Sequence, residues 1–135
     1  MPGQDIIKYA RYGDLKKVEE CITNGDDINV TNSNGRTALM AASVNGHPAV
    51  VTSLIAHRAD INVTSNDGWS ALMYASWNGK VECVKVLIQN QANLLVKSTK
   101  DNFDIKKGSS ALDIAKQKNQ TEIVRLLQDA MSSSS

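Results

Sequence analysis

Two histidines, two cysteines and fourteen acidic residues are the side chains in this sequence that could carry catalysis or hold a metal. Their placement argues against both. His47 and His57 are ten residues apart, on a turn and at a helix end, and no Cys or His cluster has the spacing of a metal site. Cys21 and Cys83 fall where a helical pattern wants an apolar residue. They read as buried free thiols, which behave as small hydrophobes and cannot attack a substrate. The acidic residues are scattered, and no glycine-rich phosphate loop follows a strand. The expectation is no catalytic site, no cofactor and no metal: a protein that is not an enzyme. Other residue types stand out instead. Residues 66–78, NDGWSALMYASWN, hold both tryptophans of the chain, Trp69 and Trp77, with Tyr74 between them. Exposed Trp, Tyr and Arg are the side chains most enriched at protein–protein hot spots. The competing reading is that both indoles lie flat on neighbouring chain and merely cover it.

Composition sets the frame around that stretch. A chain of 135 residues suffices for one domain with a modest core. Hydrophobic content of 41% and charged content of 21% are ordinary for a globular protein. The net charge of +1 provides no global field toward nucleic acid or an anionic membrane, so neither is expected as a partner. No apolar run is long enough to span a bilayer. The start, MPGQDIIKYARYGD, has none of the three regions of a secretory signal, so the expected location is cytoplasmic or nuclear. On that reading the sequons at Asn29, Asn62 and Asn119 carry no glycan, and no disulfide is expected.

The elements that must position the aromatic stretch come from an internal repeat. NGRTALMAASVNG (34–46) aligns with DGWSALMYASWNG (67–79), and Gly35 to Gly68, Leu39 to Leu72 and Gly46 to Gly79 are each 33 residues. The downstream halves VVTSLIAHRADINV and CVKVLIQNQANLLV match too. DLKKVEECITNGDDINV (14–30) repeats the second half one period earlier, and GSSALDIAKQKN with EIVRLLQDA repeats both halves later. Gly68 to Gly108 is 40 residues, so the last unit is displaced by an insertion of seven near 98–107. The chain divides into a single domain over residues 1–131, with units at about 1–31, 32–64, 65–97 and 98–131, and a Ser tail at 132–135 expected to be disordered.

Each unit has the same grammar. Asn34-Gly35 or Asp67-Gly68 supplies a turn with positive φ. Thr37, Ser70 and Ser110 follow as N-caps. A short helix ends at Gly46, Gly79 or Asn119, residues that tolerate the left-handed conformation. A second helix follows, with Pro48 in its first turn in the second unit. Helices this short are unstable alone, and stacking is expected to bury Leu39, Leu72 and Leu112 in one core. End units should be polar outside, as Gln4, Asp5, Lys8, Glu122, Arg125, Gln128 and Asp129 are.

This pattern resembles the ankyrin repeat family, whose unit reads G-x-T-P-L-H-x-A-A and then G-H-x-x-V-V-x-x-L-L-x-x-G-A-D-x-N. The second unit supplies Gly35, Thr37, Leu39, Ala42, Gly46, His47, Val50, Val51, Leu54, Ala59, Asp60 and Asn62. The third supplies Gly68, Ser70, Leu72, Ala75, Gly79, Val84, Leu87 and Ala92. The resemblance implies an all-α solenoid of stacked helix-turn-helix units joined by β-hairpin-like loops. The departures are informative. The family's Pro is Ala38, Ala71 and Ala111, and its His is Met40, Met73 and Asp113, so Met packing should take over there. A Gly survives as Gly25 but becomes Arg58 and Gln91, where a left-handed non-Gly residue costs about 1 kcal/mol.

The resemblance also implies work: holding another protein with the hairpin tips and the concave face of the first helices. The family's variable surface positions fall here on Arg36, Val44 and Asn45, on Asp67, Trp69, Trp77 and Asn78, and on Arg11 and Tyr12. Tyr74, at a position often half-buried in the family, joins them. The insertion adds Phe103, which with Ile105 suits an extended finger having one apolar side; a mobile polar loop is the alternative. The segment around Asn62 resembles the one that asparaginyl hydroxylases accept, though that side chain more simply shapes the hairpin. The leading expectation is an intracellular adaptor or inhibitor-like binding protein, monomeric, with one or more protein partners. The alternatives are a subunit or assembly chaperone of a larger complex, or a structural protein that self-associates through the tryptophan patch.

Overall fold

The computed structural model describes residues 5–133, so Gln4 lies outside the described residues. Eight helices follow in chain order: α1 Asp5–Tyr12, α2 Leu15–Thr23, α3 Ala38–Val44, α4 Pro48–Ala56, α5 Ala71–Trp77, α6 Val81–Gln89, α7 Ala111–Gln117 and α8 Thr121–Ser133. They pack as pairs. The first helices α1, α3, α5 and α7 stack in order, and the second helices α2, α4, α6 and α8 form the layer behind them. This is an all-α repeat solenoid, and no strand occurs among the described residues.

The helices begin where their hydroxyls say they should. Thr37, Ser70 and Ser110 each accept from the third amide of the helix they open, at 3.3, 3.3 and 3.2 Å. Ser110 closes a reciprocal box, its own amide donating to Asp113 at 3.0 Å. At the equivalent place Met73 lies fully buried, and its sulfur accepts weakly from the Ser70 amide at 3.4 Å. Packing and a soft acceptor thus replace an imidazole. Arg58 and Gln91 hold φ of 70° and 65°, and Asn119 holds 58°, the left-handed positions expected of them.

Leu39 and Leu72 are buried between units, each worth about 1.5–3 kcal/mol. Leu112 is only half-buried, because no further helix pair stacks on α7 among the described residues. Adjacent units are also stapled through their loops. The Asn66 amide donates to the Asn34 carbonyl at 3.0 Å, and the Thr99 amide to the Asp67 carbonyl at 2.9 Å. This approach excludes a side chain at Gly68, whose φ is 79° and whose Cβ would meet the Thr99 nitrogen at 2.7 Å. Behind them runs a ladder: Asn29 Oδ1 accepts from the Asp60 amide and Asn62 Oδ1 from the Asn93 amide, both at 2.8 Å. His47 links the first two units, its Nε2 lying 2.9 Å from the Arg11 carbonyl.

An equivalent amide–carbonyl bond spans each turn, Asn32 to Arg36, Ser65 to Trp69 and Ser98 to Ser109. The insertion therefore lies inside the last turn. Of the two readings of the insertion, the extended finger with one apolar side does not hold. Asn102 and Ile105 exchange both backbone bonds at 2.9 Å and close a two-residue hairpin. Phe103, first of the central pair, has φ 56°, a conformation that normally selects Gly there. Ile105 turns into the core while Phe103 stays 69% exposed, so the two do not share one apolar side. The tail also departs from expectation. Ser132 and Ser133 continue α8, and the Ser133 hydroxyl donates to the Asp129 carbonyl at 3.0 Å; residues 134–135 lie outside the described residues.

Candidate functional site

Cys21 and Cys83 are both buried free thiols. Burial pushes the Cys83 thiol up to about 11, with the His47 backbone and Lys80 pulling partly back. Burial also raises Cys21, reinforced by a hydrogen bond and charge from Asp26. Thiols so shifted stay protonated near neutral pH. No group of three or more His, Cys, Asp or Glu could hold a metal ion among the described residues. No described helix is long and apolar enough to cross a membrane.

A groove of about 310 Å³ runs across the first-helix face. Ile7 and Arg11 come from α1, Met40, Ala41 and Val44 from α3 with Asn45 just after it, and Tyr74 and Trp77 from α5. Asn32 and Arg36 reach in from the second unit's turn, and Phe103 from the inserted hairpin. Three successive units and the insertion of the fourth thus build one concavity. Phe103 stacks on Trp77 with centroids 4.8 Å apart and planes at 17°, and Lys118 places its ammonium 5.8 Å from the Trp77 ring. The Trp77 Nε1 is buried with no partner among the described residues, so the side chain offers ring carbon rather than a hydrogen bond.

Seven of the eleven residues expected at a binding surface line this groove: Arg11, Arg36, Val44, Asn45, Tyr74, Trp77 and Phe103. Four do not. Trp69 is the main correction. It is 0% exposed, 5.1 Å from Tyr74 and edge-on to Trp77 at 6.0 Å. Burying an indole removes about 150–250 Å² from water, worth about 4–6 kcal/mol, and packing claims it ahead of display. Tyr74 needs correcting too. At 4% exposure it is floor, and its hydroxyl donates to Ser65 Oγ at 3.1 Å while accepting from Arg36 Nε at 3.2 Å. Its hydroxyl and ring both hold Arg36. Asn78 is exposed but spends its amide on the Val44 carbonyl at 2.6 Å, a staple between units. Asp67 and Tyr12 lie outside the groove, Tyr12 being 69% exposed.

Sequence reasoning missed Ile7, Asn32, Met40 and Ala41. Met40 and Ala41 sit in the second unit at the places of Met73 and Tyr74, so the same 33-residue shift pointed to them. It also missed a larger hollow of about 740 Å³ between residues 91–95 and the end of α8. The signal there was Leu95, 67% exposed, standing where earlier units carry Asn29 and Asn62 and ending their ladder. That hollow has no charged side chain in its lining.

A family model described as Ankyrin repeats (3 copies) matches residues 6–98, more than half of the 135-residue chain. No curated protein matches it.

Proposed function

The chain belongs to the ankyrin repeat family, and from that premise we propose that it binds another protein through the groove on its first-helix face. Members of the family are generally protein–protein interaction modules. The finer reading is an adaptor or inhibitor-like protein working inside the cell, where its free Cys21 and Cys83 would stay reduced. One observation carries the site: Phe103 and Trp77, from different units, stack into an accessible aromatic wall beside two arginines. Aromatic anchors at the rim of a small concavity, next to Arg, are the composition of a hot spot. The strain of a non-Gly residue at φ 56° supports it, since such backbone is held only where surrounding structure demands it.

The test is affinity capture from native lysate with the wild-type chain and a Trp77→Ala/Phe103→Ala double variant, both shown folded by circular dichroism. Loss of the captured protein from the double variant supports the site; equal recovery removes it. The exposure of Phe103 favours a second reading, in which the same wall joins two copies of the chain. Light scattering over a range of concentrations decides, because a strict monomer excludes it.

A further inference from the structure

We infer that the groove selects an acidic peptide segment, with carboxylates set against one bulky apolar side chain. The inference rests on the reading of this face as the binding surface and goes further by fixing the partner's chemistry. The residues lining the groove include Arg11 and Arg36 but no Asp or Glu. Among the described residues the only ion pair is Lys85–Glu82, on α6, so neither guanidinium has a counter-ion. Lys118 adds a third positive charge above Trp77.

Arg36 is also prepared for a carboxylate. Its Nε is held by the Tyr74 hydroxyl at 3.2 Å, and the guanidinium lies 5.3 Å from the Tyr74 ring centroid. The terminal nitrogens have no partner among the described residues, which leaves the planar fork that pairs with carboxylates in two parallel bonds. A guanidinium already fixed loses little freedom on binding. Trp77 and Phe103 form the apolar end of the groove, and its volume is at the small end of the about 300–1,000 Å³ typical of small-molecule pockets. It admits one or two side chains of a segment. Asp104 follows Phe103 on the hairpin and would repel an acidic side chain there, so carboxylates belong with Arg11 and Arg36 and the apolar side chain with Trp77 and Phe103. A nucleic-acid strand fits less well: Trp77 and Phe103 cover each other's faces, which leaves few platforms on which bases could stack.

The experiment selects a random dodecapeptide library on the full chain, then measures the selected peptides by fluorescence polarisation. The variants are Arg11→Gln/Arg36→Gln, Arg36→Lys and Trp77→Ala/Phe103→Ala. Arg36→Lys keeps the charge and removes the fork, and it stands in if Arg36→Gln fails to fold. The expected result is enrichment of Asp or Glu beside Leu, Ile, Met or Phe, binding that weakens with salt, and about tenfold weaker binding to the double Arg variant. Peptides without acidic enrichment, acidic peptides bound equally by the double Arg variant, or no selected peptide at all would overturn the inference. Neutral peptides that still require Trp77 and Phe103 would overturn the acidic preference alone. Peptides indifferent to Trp77→Ala/Phe103→Ala would overturn the underlying choice of face. A single-stranded oligonucleotide that displaces the peptides more strongly than free glutamate polymer would also overturn a peptide ligand.

Discussion

Replacing Trp69 with Ala separates scaffold from surface. The indole is 0% exposed, so truncation removes about 150–250 Å² of buried area. Large-to-small changes at such sites cost about 3–5 kcal/mol. Two ring contacts go with it, the tilted one to Tyr74 at 5.1 Å and the edge-on one to Trp77 at 6.0 Å. No hydrogen bond is lost, because Trp69 Nε1 has no partner among the described residues, so the cost stays near the packing value of about 4 kcal/mol. Against the about 5–15 kcal/mol stability of a small domain, the variant folds but with little margin. Urea unfolding followed by circular dichroism measures the loss. Phe103→Ala is the contrast. Its side chain is 69% exposed, and it should change stability by less than about 1 kcal/mol while weakening partner binding. A Trp69→Ala variant within about 1 kcal/mol of wild type would refute the burial argument. So would a folded Trp69→Ala that keeps wild-type Trp77 fluorescence and helicity yet binds no partner.

Three further outcomes follow from the same geometry. Arg58→Gly and Gln91→Gly should each stabilise by up to about 1 kcal/mol, because they relieve φ of 70° and 65°; unchanged urea midpoints would show that the strain is absorbed elsewhere. The Cys83 thiol, raised from 9.0 to about 11, keeps its proton in the folded chain at pH values where the unfolded chain has lost it. Stability should therefore be complete below pH 9 and fall as pH rises from 9 to 11, by about 2–3 kcal/mol, with Cys21 acting in the same direction; Cys83→Ala should flatten that decline. Asn62→Ala removes the acceptor of the Asn93 amide and should cost about 0.5–1.5 kcal/mol, read most directly as faster hydrogen exchange at Asn93.

What could be read from the chain was what recurs locally. Turn glycines, hydroxyl caps and helix-ending residues act within a few positions of themselves, and each appears again 33 residues later. Arg58 and Gln91 were legible as left-handed residues for that reason, as departures from a repeated slot. The directions of side chains between units were not. Trp69 and Trp77 have the same residue type and lie eight positions apart, yet one is core and the other wall. Neighbours on other elements decided this, above all Phe103 on the inserted hairpin. The hairpin itself was obscured because Phe103 stands at positive φ where Gly is usual, so nothing local in VKSTKDNFDIKKG announces the two-residue turn closed by Asn102 and Ile105. The larger hollow is lined by Leu95, which stands where the earlier units carry Asn, a signal visible only once the ladder through Asn29 and Asn62 is known.

On the reading proposed above, a protein partner sits on the first-helix face. A photo-reactive amino acid placed at Asn45, exposed in the groove lining, and separately at Thr52, exposed on α4 behind it, tests that placement. An adduct with the captured partner should form from position 45 and none from position 52. An adduct from position 52 with none from 45 would place the partner on the second-helix layer and contradict it.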